Sequence, residues 1–128
     1  MNDIVFQPAR KLARLLRTRK LSTLEVMKAF IAQVERVNPK VNAIVTFLPE
    51  VALKEAKKVD AKRARASSAD TIGPLAGLPV AYKDLCDIAG RIGTGGSKMW
   101  EKRVATETSN TVERLTAPPP NSVPPIGF

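Results

Sequence analysis

The sequence predicts an α/β chain. Three observations carry this: a capped helix of 3.6-residue periodicity over residues 22–37, a β-branched run over 41–47, and a glycine- and proline-bracketed strand, Val80-Ala81-Tyr82, that delivers a Lys-Asp pair from its end. With 128 residues, 44% of them hydrophobic and 26% charged, the composition is that of a folded chain with one core, not of a disordered segment.

The elements follow in order. Residues 3–18 read as a first helix from the spacing of Val5, Ala9, Leu12, Ala13 and Leu16. Ser22 followed by Glu25 is a capping box opening a second helix. Val26, Met27, Phe30, Ile31, Val34 and Val37 continue it as one apolar stripe, and Asn38-Pro39 is expected to stop it. Residues 41–47 (VNAIVTF) have the composition and length of a short strand, and Pro49 suits the first turn of the next helix. That helix, over 50–66, is rich in alanine and lysine and is expected to be peripheral. A polar loop, Ser67-Ser68-Ala69-Asp70, precedes Gly73-Pro74-Leu75-Ala76-Gly77-Leu78-Pro79, an irregular approach to the strand that ends in Lys83 and Asp84. A strand end that presents charge out of an apolar run is how α/β enzymes display catalytic groups, although the same pair also suits a surface turn. Gly90, Gly93, Gly95 and Gly96 then form a loop that Met99 and Trp100 are expected to pack down, and residues 110–115 open another helix with Val112 and Leu115 inward. Five prolines among the last eleven positions exclude a regular helix there, so the end reads as an extended tail without fixed structure.

Residue inventory excludes several chemistries. With no histidine and a single cysteine, Cys86, one copy of the chain cannot assemble a cysteine, histidine or mixed zinc site. Serine-histidine-aspartate and cysteine-histidine catalysis lack their imidazole, which leaves lysine as the obvious base. The glycine cluster is neither a phosphate-binding P-loop nor a dinucleotide fingerprint. No run approaches the roughly 18 apolar residues of a membrane span, and the start lacks the pattern of a secretory signal, so a cytoplasmic protein is expected. The net charge is +9, and Arg10, Lys11, Arg14, Arg17, Arg19 and Lys20 place six cations in eleven residues. Nucleic acid is a conceivable partner for such a stretch. Interleaved Leu12, Leu15 and Leu16, and the absence of aromatics between Gln7 and Ala29, favour a solvated helix face instead.

Taken together, LSTLEVMKAFIAQVERVNPKVNAIVTF, GPLAGLPVAYKDLCDIAG, the Thr-x-Gly-Ser loop from Thr94 to Ser97 and the TVERL helix start resemble the amino-terminal part of the amidase signature family. The resemblance covers residues 9–116, and its most specific part is Gly-x-Pro-Val-Ala-x-Lys-Asp at 77–84. It implies an amide hydrolase of α/β/α architecture with a serine-serine-lysine triad, needing no cofactor and no metal. Lys83 matches the lysine base, and Asp84 takes an orienting role. The chemistry suits a chain without histidine, because a buried lysine can lose its proton when desolvation disfavours its charged form and then accept one through a serine relay. In the family both serines lie downstream, in a glycine- and serine-rich signature. Ser97 stands only fourteen residues after Lys83, at a structural loop of the family, and is not read as the nucleophile.

The expected organisation is therefore residues 1–117 as the N-terminal part of an amidase signature domain, apparently truncated, and 118–128 as a proline-rich tail. The chain alone is expected to be inactive. The resemblance leaves open a free amide, an aryl or fatty amide, or glutamine serving a tRNA amidotransferase as the small-molecule substrate of the full-length enzyme. Unpaired edges such as 41–47 are expected to make the chain marginally stable unless self-association or a partner segment covers them. The alternative is a non-catalytic basic helical protein that binds a partner or nucleic acid.

Overall fold

A computed structural model of the chain describes residues 4–67, 73–116 and 126–127. Among these, four helices run in chain order: α1 (Ala9–Arg17), α2 (Thr23–Val41), α3 (Pro49–Arg65) and α4 (Asn110–Thr116). Two short strands, β1 (Pro79–Val80) and β2 (Ile126–Gly127), pair in parallel with Pro79 opposite Ile126 and Val80 opposite Gly127. A single turn of 3-10 helix, Lys98–Trp100, lies between β1 and α4.

The centre of the fold is the hairpin of α2 and α3. Every early amide of α2 has an acceptor. Ser22 Oγ accepts from Glu25 N (3.1 Å) and Glu25 Oε2 from Ser22 N (2.8 Å), which completes the capping box. The amides of Thr23 and Leu24 donate to the two carboxylate oxygens of Asp60 on α3, at 2.8 and 2.9 Å. Asp60 thus caps a helix to which it does not belong, and its negative charge sits at the positive end of the α2 dipole. The capping box also holds the Glu25 carboxyl below its ordinary value, chiefly through the Ser22 amide.

Beneath this clamp, Met27 and Ile31 of α2 pack on Ala52, Ala56 and Val59 of α3 and on Ala76. α3 is therefore central, not peripheral as its composition suggested. Its buried positions, Ala52, Ala56, Val59 and Arg63, follow a helical spacing, and the small alanine side chains let the two backbones approach. A second cluster joins Leu12 and Leu16 of α1 to Val26 and Leu78.

Four local expectations are corrected. α1 begins at Ala9 and not at residue 3, because Pro8 has no N–H to continue a helix from Ile4 and its ring would clash there. α2 runs through Pro39 to Val41 and stops at Asn42, whose φ of 47° is left-handed. No strand forms over 41–47: Asn38 Nδ2 donates to Ile44 O and Asn38 Oδ1 accepts from Ile44 N, both at 2.9 Å, so the central residue of that run has its backbone groups taken by a side chain. In α4, Val112 is buried as expected but Leu115 is exposed. The tail expectation falls largely on residues 117–125 and 128, outside the described residues.

Gly77 fixes how the approach to β1 meets α2. Its φ is +79°, and a Cβ there would lie 2.7 Å from Thr23 Oγ1, whose residue is fully buried. Gly77→Ala should therefore cost about 2–3 kcal/mol through left-handed strain and overpacking. Asp60→Ala should cost about 1–3 kcal/mol through two orphaned amides. Urea unfolding followed by helical circular dichroism reads both, and a midpoint unchanged by either substitution contradicts this account of the packing.

Candidate active site

β1 is short because Pro79 brings only a carbonyl to the sheet and the chain turns soon after it. Lys83 O accepts from Cys86 N at 2.8 Å, closing a turn directly after Tyr82. Lys83 stands on this turn, exposed, and its amino group makes no hydrogen bond or ion pair with the described residues. It lines a cleft of about 390 Å³, between the loop after α2 (Ile44, Val45), the β1 exit (Tyr82 to Cys86) and the glycine loop (Gly93, Gly95, Gly96). The apolar side chains of Val45, Leu85 and Ile92, all well exposed, belong to the same cleft. The Tyr82 hydroxyl is buried without a hydrogen-bond partner among the described residues, and burial pushes its pKa up.

Asp84 has an ordering task in the cleft. Its carboxylate accepts from Thr94 N (3.0 Å), from the Thr94 hydroxyl and from Gly96 N (3.2 Å), and so binds the glycine loop to the β1 exit. These bonds, the Thr94 hydroxyl foremost, hold its carboxyl below the ordinary aspartate value against some desolvation, with help from Arg103. Ser97 is also occupied structurally: its hydroxyl accepts from Met99 N at 3.3 Å and caps the 3-10 turn.

The loop is held a second time by groups that no sequence pattern indicated. Arg103 donates to both oxygens of Asp87 (2.9 and 2.5 Å) and to Gly93 O (3.0 Å), and its guanidinium lies 5.2 Å from the Trp100 ring centroid. A Cβ on Gly93 would fall 2.5 Å from Asp87 Oδ1, so glycine is needed for the close approach. Trp100 packs against Gly95 as expected, whereas Met99 is 84% exposed and packs nothing down. Asp87 and Arg103 are sixteen residues apart and meet only because the backbone folds back, with an antiparallel bridge between Ile92 and Val104. No group of three or more histidine, cysteine, aspartate or glutamate side chains among the described residues is placed to hold a metal ion. No helix there is long and apolar enough to cross a membrane.

Because the charged form of Asp84 makes the bonds, they are in place at neutral pH and are lost as pH falls through a midpoint below the ordinary aspartate value of 3.8. The amide proton shifts of Thr94 and Gly96 should follow that midpoint, and in Asp84→Asn they should no longer titrate there. Titration of both amides unchanged in the variant contradicts the assignment.

Comparison with known proteins gives this geometry a family. The Amidase family profile matches residues 25–118. A glutamyl-tRNA(Gln) amidotransferase subunit from Carboxydothermus hydrogenoformans is 36% identical over 113 residues, 88% of this chain and 23% of that protein. The chain thus spans about a quarter of the length of this curated relative. Among solved structures, 6-aminohexanoate cyclic dimer hydrolase is 30% identical with a TM-score of 0.70, covering 94% of this chain and 23% of that one. Fatty acid amide hydrolase superposes with a TM-score of 0.83 at 20% identity, over 98% and 21% of the two chains, a likeness of fold. A profile match over most of the chain, a relative at this identity and an α/β fold shared with these hydrolases agree: the chain belongs to the amidase family.

Proposed function

We propose that this chain contributes the lysine base and part of the substrate cleft to an amide-hydrolysing enzyme of the amidase signature type, in which two serines outside the chain complete a serine-serine-lysine triad. The observation that carries the reading is Lys83 itself: it follows the Gly-Leu-Pro-Val-Ala-Tyr strand exit and lines a cleft whose glycine loop Asp84 holds in place.

In the proposed reaction the neutral Lys83 amine accepts a proton through the bridging serine as the nucleophilic serine attacks the amide carbonyl. It returns the proton to the leaving nitrogen, and water then repeats the sequence on the acyl-enzyme. Asp84 is a positioning residue that keeps the loop facing Lys83 in place. A lysine serves as a base only where water is kept from it, and Lys83 is exposed, so the serine-bearing segment also acts as its cover. β1 has a strand partner on one side only among the described residues, and its other edge is where such a segment can add in. The relative from Carboxydothermus is by name one part of an amidotransferase, which supports glutamine as a substrate and further subunits as partners. The apolar cleft wall of Val45, Leu85 and Ile92 equally suits an acyl or aryl group.

The 128-residue chain alone should release no ammonia from glutamine and no aniline from an aryl amide above the buffer rate. In a chain extended by the family's serine-bearing segment, Lys83→Ala should lower kcat by about 10²–10⁴-fold with the circular dichroism unchanged. Hydrolysis by the short chain, or full activity in Lys83→Ala, contradicts the proposal.

A further inference from the structure

A second concavity, of about 970 Å³, lies between α1 and the turn leading into β1, and Lys83 is not part of it. Ala13, Leu75 and Leu78 give it apolar lining. Its cations are Arg10, Lys11, Arg14, Arg17, Arg19 and Arg63, and among the described residues no acidic side chain lines it. Arg10, Lys11, Arg14 and Arg17 are exposed and form no ion pair with the described residues.

A helix face of solvated cations would by itself mean little. Two features at α3 set this groove apart. Arg19 adopts a left-handed φ of 57°, a strained conformation for a side chain of its kind, and its Nη2 donates to Arg63 O at 3.0 Å and more weakly to Ala66 O. Arg63 is only 8% exposed; its Nη2 donates to Ala76 O at 3.1 Å, but its Nη1 is buried with no hydrogen bond among the described residues. The nearby carboxylate, Asp60, has both oxygens engaged by the α2 amides. Burial, with repulsion from Arg19, draws the Arg63 guanidinium below its ordinary value despite Asp60. The groove therefore ends on a largely buried guanidinium that has an unused donor among the described residues and whose charge Asp60 offsets only in part.

We propose that this groove binds a small organic anion of the phosphate class, its apolar part against Ala13, Leu75 and Leu78 and its oxyanion held by the arginines of α1 in the field of Arg63. Guanidinium groups match phosphate geometry, and the attraction of Arg63 acts through a water-poor floor without requiring contact at Nη1. The volume is that of a small-molecule site. Among the described residues no aromatic side chain lines the groove to stack a base, so single-stranded nucleic acid is not the occupant we assign. The proposal is independent of the amide chemistry at Lys83.

Titration of the chain with phenyl phosphate, followed by amide NMR shifts, tests it. Saturable shifts confined to residues 9–19 and 73–78 are expected. Arg14→Gln/Arg17→Gln should weaken binding about tenfold or more, while Lys54→Gln/Lys57→Gln, which removes the same charge from exposed positions of α3, should change it less than twofold. If the first pair disturbs α1 by circular dichroism, Arg10→Gln/Lys11→Gln serves in its place with the same expected loss. Equal weakening by the groove and α3 pairs, no saturation, or an RNA 12-mer that binds more tightly than phenyl phosphate with shifts across α1 and α3 overturns the proposal.

Discussion

The Asp60 carboxylate is the contact on which the rest of the structure depends. By accepting from the first two amides of α2 it ties one helix to the end of another, and so fixes the rotation and height at which Met27 and Ile31 meet the alanines of α3. Thr23 is one of the two residues held, and Thr23 is also the surface against which Gly77 must pack without a Cβ. The helix pair thereby aims the chain into β1, and the exit of β1 carries Lys83. The placement of the proposed base is set by a helix clamp remote from it in sequence.

A second constraint works on the other side of the cleft. The glycine loop is not stiff in itself, since glycine loses more conformational freedom on ordering than any other residue. Its order comes from two carboxylates: Asp84 on the Thr94 and Gly96 side, and Asp87 through Arg103 on the Gly93 side. The Asp87–Arg103 pair is about one-third exposed on each partner, so its contribution lies less in net stability than in geometry, because a bidentate fork that also reaches Gly93 O leaves the loop few alternatives. Division of labour within the Lys-Asp pair follows from this, with the lysine facing the cleft and the aspartate building its wall.

The sequence made some of this legible and hid the rest for identifiable reasons. The capping box at Ser22 and Glu25 is a local pattern and appeared where it was read. The Gly77 to Asp84 segment pointed to the family, and its one glycine, Gly77, answers to a local backbone need, the left-handed turn packed against Thr23. α3 was misjudged because alanine weighs little on a hydropathy reading, yet its smallness is what a close helix pair requires. The run at 41–47 has the residues of a strand, but a strand needs a neighbour, and the Asn38 side chain occupied Ile44 first. Asp60, Arg63 and the Asp87–Arg103 pair act across the fold, at separations where one sequence carries no signal.

The central claim is that the α2–α3 clamp and the strand that presents Lys83 form one cooperative unit. Native-state amide hydrogen exchange under increasing denaturant tests it most directly. The Thr23, Leu24, Leu78 and Val80 amides should converge on one opening free energy, with Gly96 opening at a lower one. Exchange of Thr23 and Leu24 through an opening that leaves Leu78 and Val80 protected would contradict the account, because Lys83 would then be held in place by something other than the helix pair.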